Sequence, residues 1–369
     1  MTASPWLSQS GRAKWPGSWK SAVVIAALLA YCCGRNIGES RTIPIYRLEE
    51  ISEYSANISA SLTTGFSKCD SVCLDGEGYL FVADSGWNKI FKFGPAGRFA
   101  ASYGEQGQGP GEFMGNPRSA PLKMSLGNDG KFYVYDPGND RLSMFDSSFR
   151  FVRSRKMPFA ARVLDSAAVN GQGDIYFVSN VEGRLIHRFD KDLSRKNSFL
   201  DAKEHFSFPF RTPARFADSP FVADFHLRKA VMRDGTLVAV SNYALKAFVF
   251  DQADRLVRRF MIENRIFIKD FQERLSALAT KKDEGWIVPF HLIVDRFDMI
   301  CLFYANESVR KYEIYKYDKN GTLVCILRFP DAVRPPFGCD EAGAFYACKI
   351  EDGEIRISKY IEKKEGGRP

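Results

Sequence analysis

Histidine is scarce in this chain: there are four in 369 residues, at His187, His205, His226 and His291. None stands at His-x-x-x-His spacing or in a Cys/His ligand pattern, which excludes a locally encoded zinc site. The sequence also lacks a Gly-x-Ser-x-Gly elbow and a phosphate-binding Gly-x-x-x-x-Gly-Lys-Ser/Thr loop. The glycine-rich stretch 104–111 precedes no helical pattern, so it reads as a linker rather than an anion cradle. Long blocks of like charge are missing too. The net charge is +8, and three of those charges (Arg12, Lys14, Lys20) fall in the first 34 residues, which hold no acid. The remaining bases are dispersed, which argues against a nucleic-acid-binding surface. No apolar run approaches the ~20 residues that a membrane-spanning helix needs.

What is abundant is aromatic: 31 Phe and 15 Tyr. Rings of this kind pack well on pleated, half-buried strands. The N-terminus stands apart from the rest. After the basic, acid-free leader comes a short apolar core, Ser21–Tyr31, and then Cys32-Cys33-Gly34. A basic region, an apolar stretch of 7–15 residues and a small-residue boundary describe a secretory signal. The segment resembles a bacterial lipoprotein signal, which makes Cys32 and Cys33 the lipidation candidates. Tyr31 departs from that pattern, where a small residue is expected, so simple cleavage or a retained anchor stays open. Residues 1–34 are therefore read as the signal or anchor, and 35–369 as one domain.

One pattern recurs through that domain, and internal repetition is the first thing to look for in a chain of this size. It reads Asp/Gly turn, apolar strand ending in Asp, Ser or Asn, polar loop, second strand ending in Phe or Tyr. Copies begin at Asp75, Asn128, Gly171, Asp234, Asp295 and Asp340. Gly78 and Gly130, Asp84 and Asp136, and Phe93 and Phe145 share one offset. Each copy predicts a four-stranded antiparallel meander. A sheet of that size has two faces to bury, and stacking such sheets radially buries both. The expected fold is all-β, a six-bladed β-propeller with blades at about 67–121, 122–164, 165–226, 227–289, 290–333 and 334–360.

Ala83-Asp84-Ser85, Asn88-Lys89-Ile90, Phe93 and Gly97 resemble an NHL repeat, as does the linker from Tyr103 to Phe113 (YGEQGQGPGEF). The close match covers blades one and two. The whole chain is similar to exported bacterial six-bladed propeller proteins. Some NHL-type enzymes hold a metal in the central channel, and NHL domains of eukaryotic regulators bind nucleic acid, so the resemblance brings both alternatives with it.

The sixth repeat stops after three strands, leaving an open edge. Thr42–Leu48 is strand-like, and it is expected to supply the missing outer strand. Strand parity places the first and third turns of every blade on one face. The loop between the second and third strands lies on the other face, with the connections between blades. The long insertions 104–121, 201–226 and 263–289 are all inter-blade connections and should crown that second face, with a helical pattern at 268–280. Long loops on a rigid scaffold are the usual place for binding. Trp87, Asn88, Asn139, Arg141, Asn180, Asn242 and Tyr243 are the candidates there. Trp87 suits either partner contact or packing on blade two. Asp84 and Asp136 read as turn caps in preference to calcium ligands.

Cys69 and Cys73 lie four residues apart in one strand, too far to bridge. Most of the six downstream cysteines are therefore expected to be free and buried. The functional expectation is an exported, periplasmic or cell-surface binding module. Its N-terminus would attach it to the membrane, and it would be monomeric, engaging a protein, peptide or glycan of the envelope, with no nucleic acid and no cofactor. The alternative is a hydrolase or lyase with calcium or another divalent metal in the channel, and nucleic-acid binding ranks third.

Overall fold

A computed structural model describes residues 43–115, 121–157, 166–202, 227–241, 246–262, 291–306 and 311–363. The signal-like leader with Cys32 and Cys33, the helical pattern at 268–280, and Asn242 and Tyr243 lie outside the described residues.

The chain opens with β1 (Ile45–Glu50) and α1 (Ser52–Ser61). Blade one follows as β2 (Ser71–Leu74), β3 (Leu80–Asp84), β4 (Lys89–Phe93) and β5 (Phe99–Tyr103). Blade two is β6 (Lys123–Leu126), β7 (Phe132–Asp136), β8 (Arg141–Phe145) and β9 (Phe151–Lys156). Blade three is β10 (Ala168–Val169), β11 (Ile175–Val181), β12 (Arg184–Phe189) and β13 (Arg195–Asp201). Blade four is β14 (Leu227–Val231), β15 (Leu237–Ser241), β16 (Lys246–Phe250) and β17 (Leu256–Met261). Blade five is β18 (His291–Val294), β19 (Ile300–Asn306), β20 (Lys311–Tyr317) and β21 (Leu323–Arg328). Blade six has β22 (Arg334–Cys339), β23 (Phe345–Glu351) and β24 (Glu354–Glu362). Within each blade, strands pair antiparallel in chain order.

The hairpins form because the turn chemistry repeats. In all six first turns, the opening residue donates its N–H to the carbonyl four residues on and accepts from the amide three residues on. That third residue takes a left-handed φ at Gly78, Gly130, Gly173, Gly235, Asp298 and Gly343. Four of these turns are further fixed by Asp75, Asn170, Asp295 or Asp340, whose side-chain oxygen accepts two amides of its own turn. The third turns reuse the device at Asp146, Asp190, Asp251 and Asp318. Local side-chain-to-backbone bonds of this kind settle a turn before any tertiary contact exists.

Six apolar clusters fill the six wedges between blades. Phe81 and Ile90 of blade one meet Met124 and Phe132 of blade two. Tyr135 and Leu142 meet Ile175 and Phe177 between blades two and three, and Tyr176 and Ile186 meet Leu237 and Phe248 between three and four. Val238 and Val249 meet Leu302 and Tyr315 between four and five, and Phe303 and Ile314 meet Phe337 and Phe345 between five and six. The sixth cluster closes the ring: Val82 and Phe93 of blade one pack with Tyr346 and Ile357 of blade six, and α1 inserts Tyr54 and Ile58.

β1 makes the expected closure, but further along the chain than Thr42–Leu48: of the described residues 43–48 only Leu48 pairs with blade six. Leu48–Glu50 pairs antiparallel with β24, supplying the fourth strand of blade six. Ile45–Arg47 pairs in parallel with β21, the outer strand of blade five. One short strand thus covers two open edges, and blades five and six become a continuous eight-stranded sheet.

Candidate functional site

The innermost strands β2, β6, β10, β14, β18 and β22 approach one another around the axis, and the two ends of that axis differ. On the face of the short turns the axis is tied across. Asn128 Nδ2 of blade two donates to the carbonyl of Met232 in blade four at 2.7 Å. The Arg233 amide of blade four donates to Asp298 Oδ1 of blade five at 2.8 Å. The Arg233 guanidinium pairs with Glu341 of blade six, whose carbonyl also receives Arg296 of blade five. Blades two and four are not neighbours, nor are four and six. These bonds therefore lace the turns together over the axis.

The opposite face carries the starts of the inner strands and the inter-blade connections. Here the described residues bring cations: Lys123 opens β6, Arg228 and Lys229 lie early in β14, and Arg334 opens β22, with His291 opening β18. Lys123 Nζ donates to the Asp70 carbonyl at 3.3 Å, and the buried Lys229 Nζ donates to the Ser166 carbonyl at 2.8 Å. Asp70, just ahead of β2, accepts the Ser85 amide at 2.6 Å. Burial pushes its carboxyl above the usual range, opposed by the Ser85 bonds and by Lys123. Among the described residues, no group of three His, Cys, Asp or Glu side chains is placed to hold a metal ion.

The sequence-derived candidates fall into two sets. Trp87 is exposed on the β3–β4 loop, and its Nε1–H donates to the Gly65 carbonyl at 3.2 Å. Asn88 beside it takes a left-handed φ of 52°. Asn139 and Arg141 instead hold the linker between blades one and two. Asn139 Nδ2 reaches the Gly107 carbonyl at 2.9 Å and Asp136 at 2.6 Å. The Arg141 guanidinium binds the carbonyls of Gln108, Gly109 and Glu112 at 2.7–2.8 Å. The linker comes so close to the β7–β8 loop that a Cβ on Gly138 would lie 1.7 Å from the Met114 carbonyl oxygen. Asn180 falls in β11 where the register shifts between Val178 and Val181.

Asp84 and Asp136 act as caps. Asp84 accepts the amides of Ser67, Lys68, Gly86 and Trp87 at 2.8–3.2 Å. Asp136 accepts the Met114 amide and Asn139. Both carboxylates are fully buried, and burial holds them above the usual range against the pull of those N–H donors. Each capping Asp ties the chain arriving at its blade to the blade's own second loop. The cationic strand starts were missed by sequence reasoning. They fall in three of the six first strands, β6, β14 and β22, at no shared register position, so the repeat does not mark them.

Two solved structures share the fold. One is a member of the DUF4221 family from Bacteroides vulgatus, 11% identical with a TM-score of 0.52 over 82% of this chain and 95% of that one. The other is a Bacteroides fragilis protein named as a candidate exported protein, 13% identical with a TM-score of 0.50 over 88% of this chain and all of that one. Virginiamycin B lyase from Staphylococcus aureus is 13% identical with a TM-score of 0.45 over 88% and 97% of the two chains. No curated protein matches the sequence. A family described as a 6-bladed beta-propeller matches residues 66–251, half of the chain. The protein is thus a member of that family, DUF5128, and a six-bladed β-propeller.

Proposed function

We propose that the protein is an exported binding module that receives a carboxylate-bearing partner, an acidic peptide segment or an anionic glycan, on its loop-rich face. The asymmetry of the axis carries this reading. The short-turn end is laced by Asn128, Arg233, Arg296 and Glu341, while the other end carries Lys123, Arg228 and Arg334. A partner reaching the axis approaches from the cationic end. Clustered cations steer anions and raise their encounter rate. Export is supported by the basic, acid-free leader and the apolar core Ser21–Tyr31, and by the exported name of the Bacteroides fragilis neighbour. Among the described residues no helix is long and apolar enough to cross a membrane. The reading includes attachment through Cys32 or Cys33 of the leader.

The test is titration of the purified protein with acidic peptides and uronate-containing oligosaccharides, each beside a neutral counterpart. The expected result is saturable binding of the anionic members, weakening as salt rises, with Arg334→Ala about tenfold weaker, as one lost charge-assisted contact implies. Equal binding of neutral counterparts, or affinity indifferent to salt, would overturn the reading. Cell fractionation tests export separately: the envelope fraction should hold the protein and should lose it when residues 21–31 are deleted.

A further inference from the structure

The ring closes by non-covalent contacts between the N-terminal segment (β1, α1 and blade one) and the C-terminal strands of blade six, and two cysteines meet there. Cys69 lies in the lead-in to β2, and Cys348 is in the middle of β23, 279 residues later. The Cys348 thiol donates to Cys69 Sγ at 2.7 Å. A disulfide bond is ~2.05 Å long, so a movement of about 0.7 Å, within reach of a small side-chain rotation, would bring the sulfurs to bonding distance. Their surroundings are already fixed. Phe66, three residues before Cys69, makes a β-bridge to Ile355 of blade six. Cys69 itself packs on the cluster formed by Val72, Tyr346 and Ile357. Three of the other four described thiols are differently engaged: Cys73, Cys301 and Cys339 donate to the backbone carbonyls of Met124, Met299 and Asp340.

We propose that Cys69 and Cys348 form a disulfide that staples the seam of the propeller. This departs from the expectation that the cysteines stay free, which weighed pairs local in sequence or sharing a blade. It draws its oxidising compartment from the export reading, though the pairing itself rests on the geometry alone. The oxidant is a disulfide of the thiol–disulfide exchange class. A cysteine thiolate attacks one oxidant sulfur, forming a mixed disulfide and releasing one oxidant thiolate. The second cysteine thiolate then attacks the protein sulfur of the mixed disulfide and expels the other. Two electrons pass to the oxidant, and the two thiol protons are released, to be taken up by the oxidant's thiolates. Burial pushes the Cys69 thiol up and makes it a poor nucleophile in the closed ring, so the bond forms during folding or on opening of the seam.

The experiment uses the full chain, refolded with oxidised dithiothreitol or with its reduced form. Free thiols are then alkylated in denaturant, and peptides are mapped by mass spectrometry without reduction. The expected result is a linked peptide pair containing Cys69 and Cys348. The oxidised protein should melt about 5 °C above the reduced one, as a bridge closing a long loop implies. Comparing the two redox states of the unaltered chain needs no variant to fold. Cys348→Ala should abolish both the link and the redox-dependent shift, and Cys73→Ala should keep both. Alkylation of Cys69 and Cys348 after oxidative refolding, or links to other cysteines instead, would overturn the proposal. Failure of the export reading would show separately, as absence of the protein from the envelope fraction while the link still forms in vitro.

Discussion

Five blade boundaries are crossed by the chain passing from the last strand of one blade to the first of the next. At the closure the chain runs from β1, the fourth strand of blade six, through α1 into blade one, so the two ends of the ring meet inside blade six, between β1 and β24. The boundary between blades three and four carries a polar clamp of local economy: Arg188 of β12 binds Asp174 in its own blade and Asp254 and the Gln252 carbonyl in the next. The seam recruits more, and from farther away. β1 pairs with β24, α1 inserts Tyr54 edge-on to Tyr346, and Lys349 of β23 reaches Glu50 of β1 and Asp331 ahead of β22. Where the chain does not itself hold neighbours together, added apolar area and buried ion pairs do so, and they must offset the entropy of bringing distant segments together.

That contrast can be tested by truncation at matched sites. Tyr54→Ala at the seam and Phe81→Ala between blades one and two each remove a large buried ring and should each cost about 4 kcal/mol. Their hydrogen-exchange signatures should differ. Tyr54→Ala is expected to expose β1 and β24 to exchange well before the rest, while Phe81→Ala lowers protection throughout. Matching patterns would mean the seam is no weaker than a connected boundary.

Lys349→Ala leaves Glu50 and Asp331 without their shared cation and should cost about 3 kcal/mol by denaturant titration. A loss near zero would place the seam's strength in its apolar contacts alone. Arg141→Ala tests a connected boundary. Three linker carbonyls lose their donor, so the fold should lose about 1–2 kcal/mol while amides in 105–113 gain exchange.

The smallest effect expected is in pH dependence. Burial works against the Lys349 ammonium, but Glu50 and Asp331 more than offset it, so its pKa is raised. Its contribution is therefore fully present below the unfolded value of about 10.5 and lost as pH rises through the higher folded one. Asp174 is the mirror case. Burial raises its pKa, Lys196 and Arg188 lower it further, and the net is depressed. Its contribution is present above about 3.8 and lost as pH falls through the folded value. Alkaline melts should thus weaken the seam while acid melts weaken the boundary at Arg188. Lys349→Met and Asp174→Asn should flatten the alkaline and acid limbs respectively.

Much of the strand pattern could be read directly. The pattern of turn, strand, loop and strand expected after Asp75 and Asn128 is met by β3 and β4 and by β7 and β8. Alternation and flanking turn residues are local properties, and a strand buried on both faces shows them plainly. α1 was not anticipated. Its sequence, SEYSANISAS, offers only Tyr54 and Ile58 to the core and no side-chain cap at its start, so its helicity comes from the wedge it fills. Asn139 and Arg141 were read as available for a partner because their types suit recognition. The structure engages them with Gly107, Gln108, Gly109 and Glu112, carbonyls about thirty positions back.

The sequence by itself determined the repeat, the turns, the number of blades and the need for a closing strand, because each follows from short-range backbone chemistry and from edges that must be covered. Only the tertiary structure decided that β1 spans two blades, that the axis is laced at one end and cationic at the other, and that Cys69 faces Cys348. Those features join residues from tens to nearly three hundred positions apart, and their proximity is set by how the blades stack.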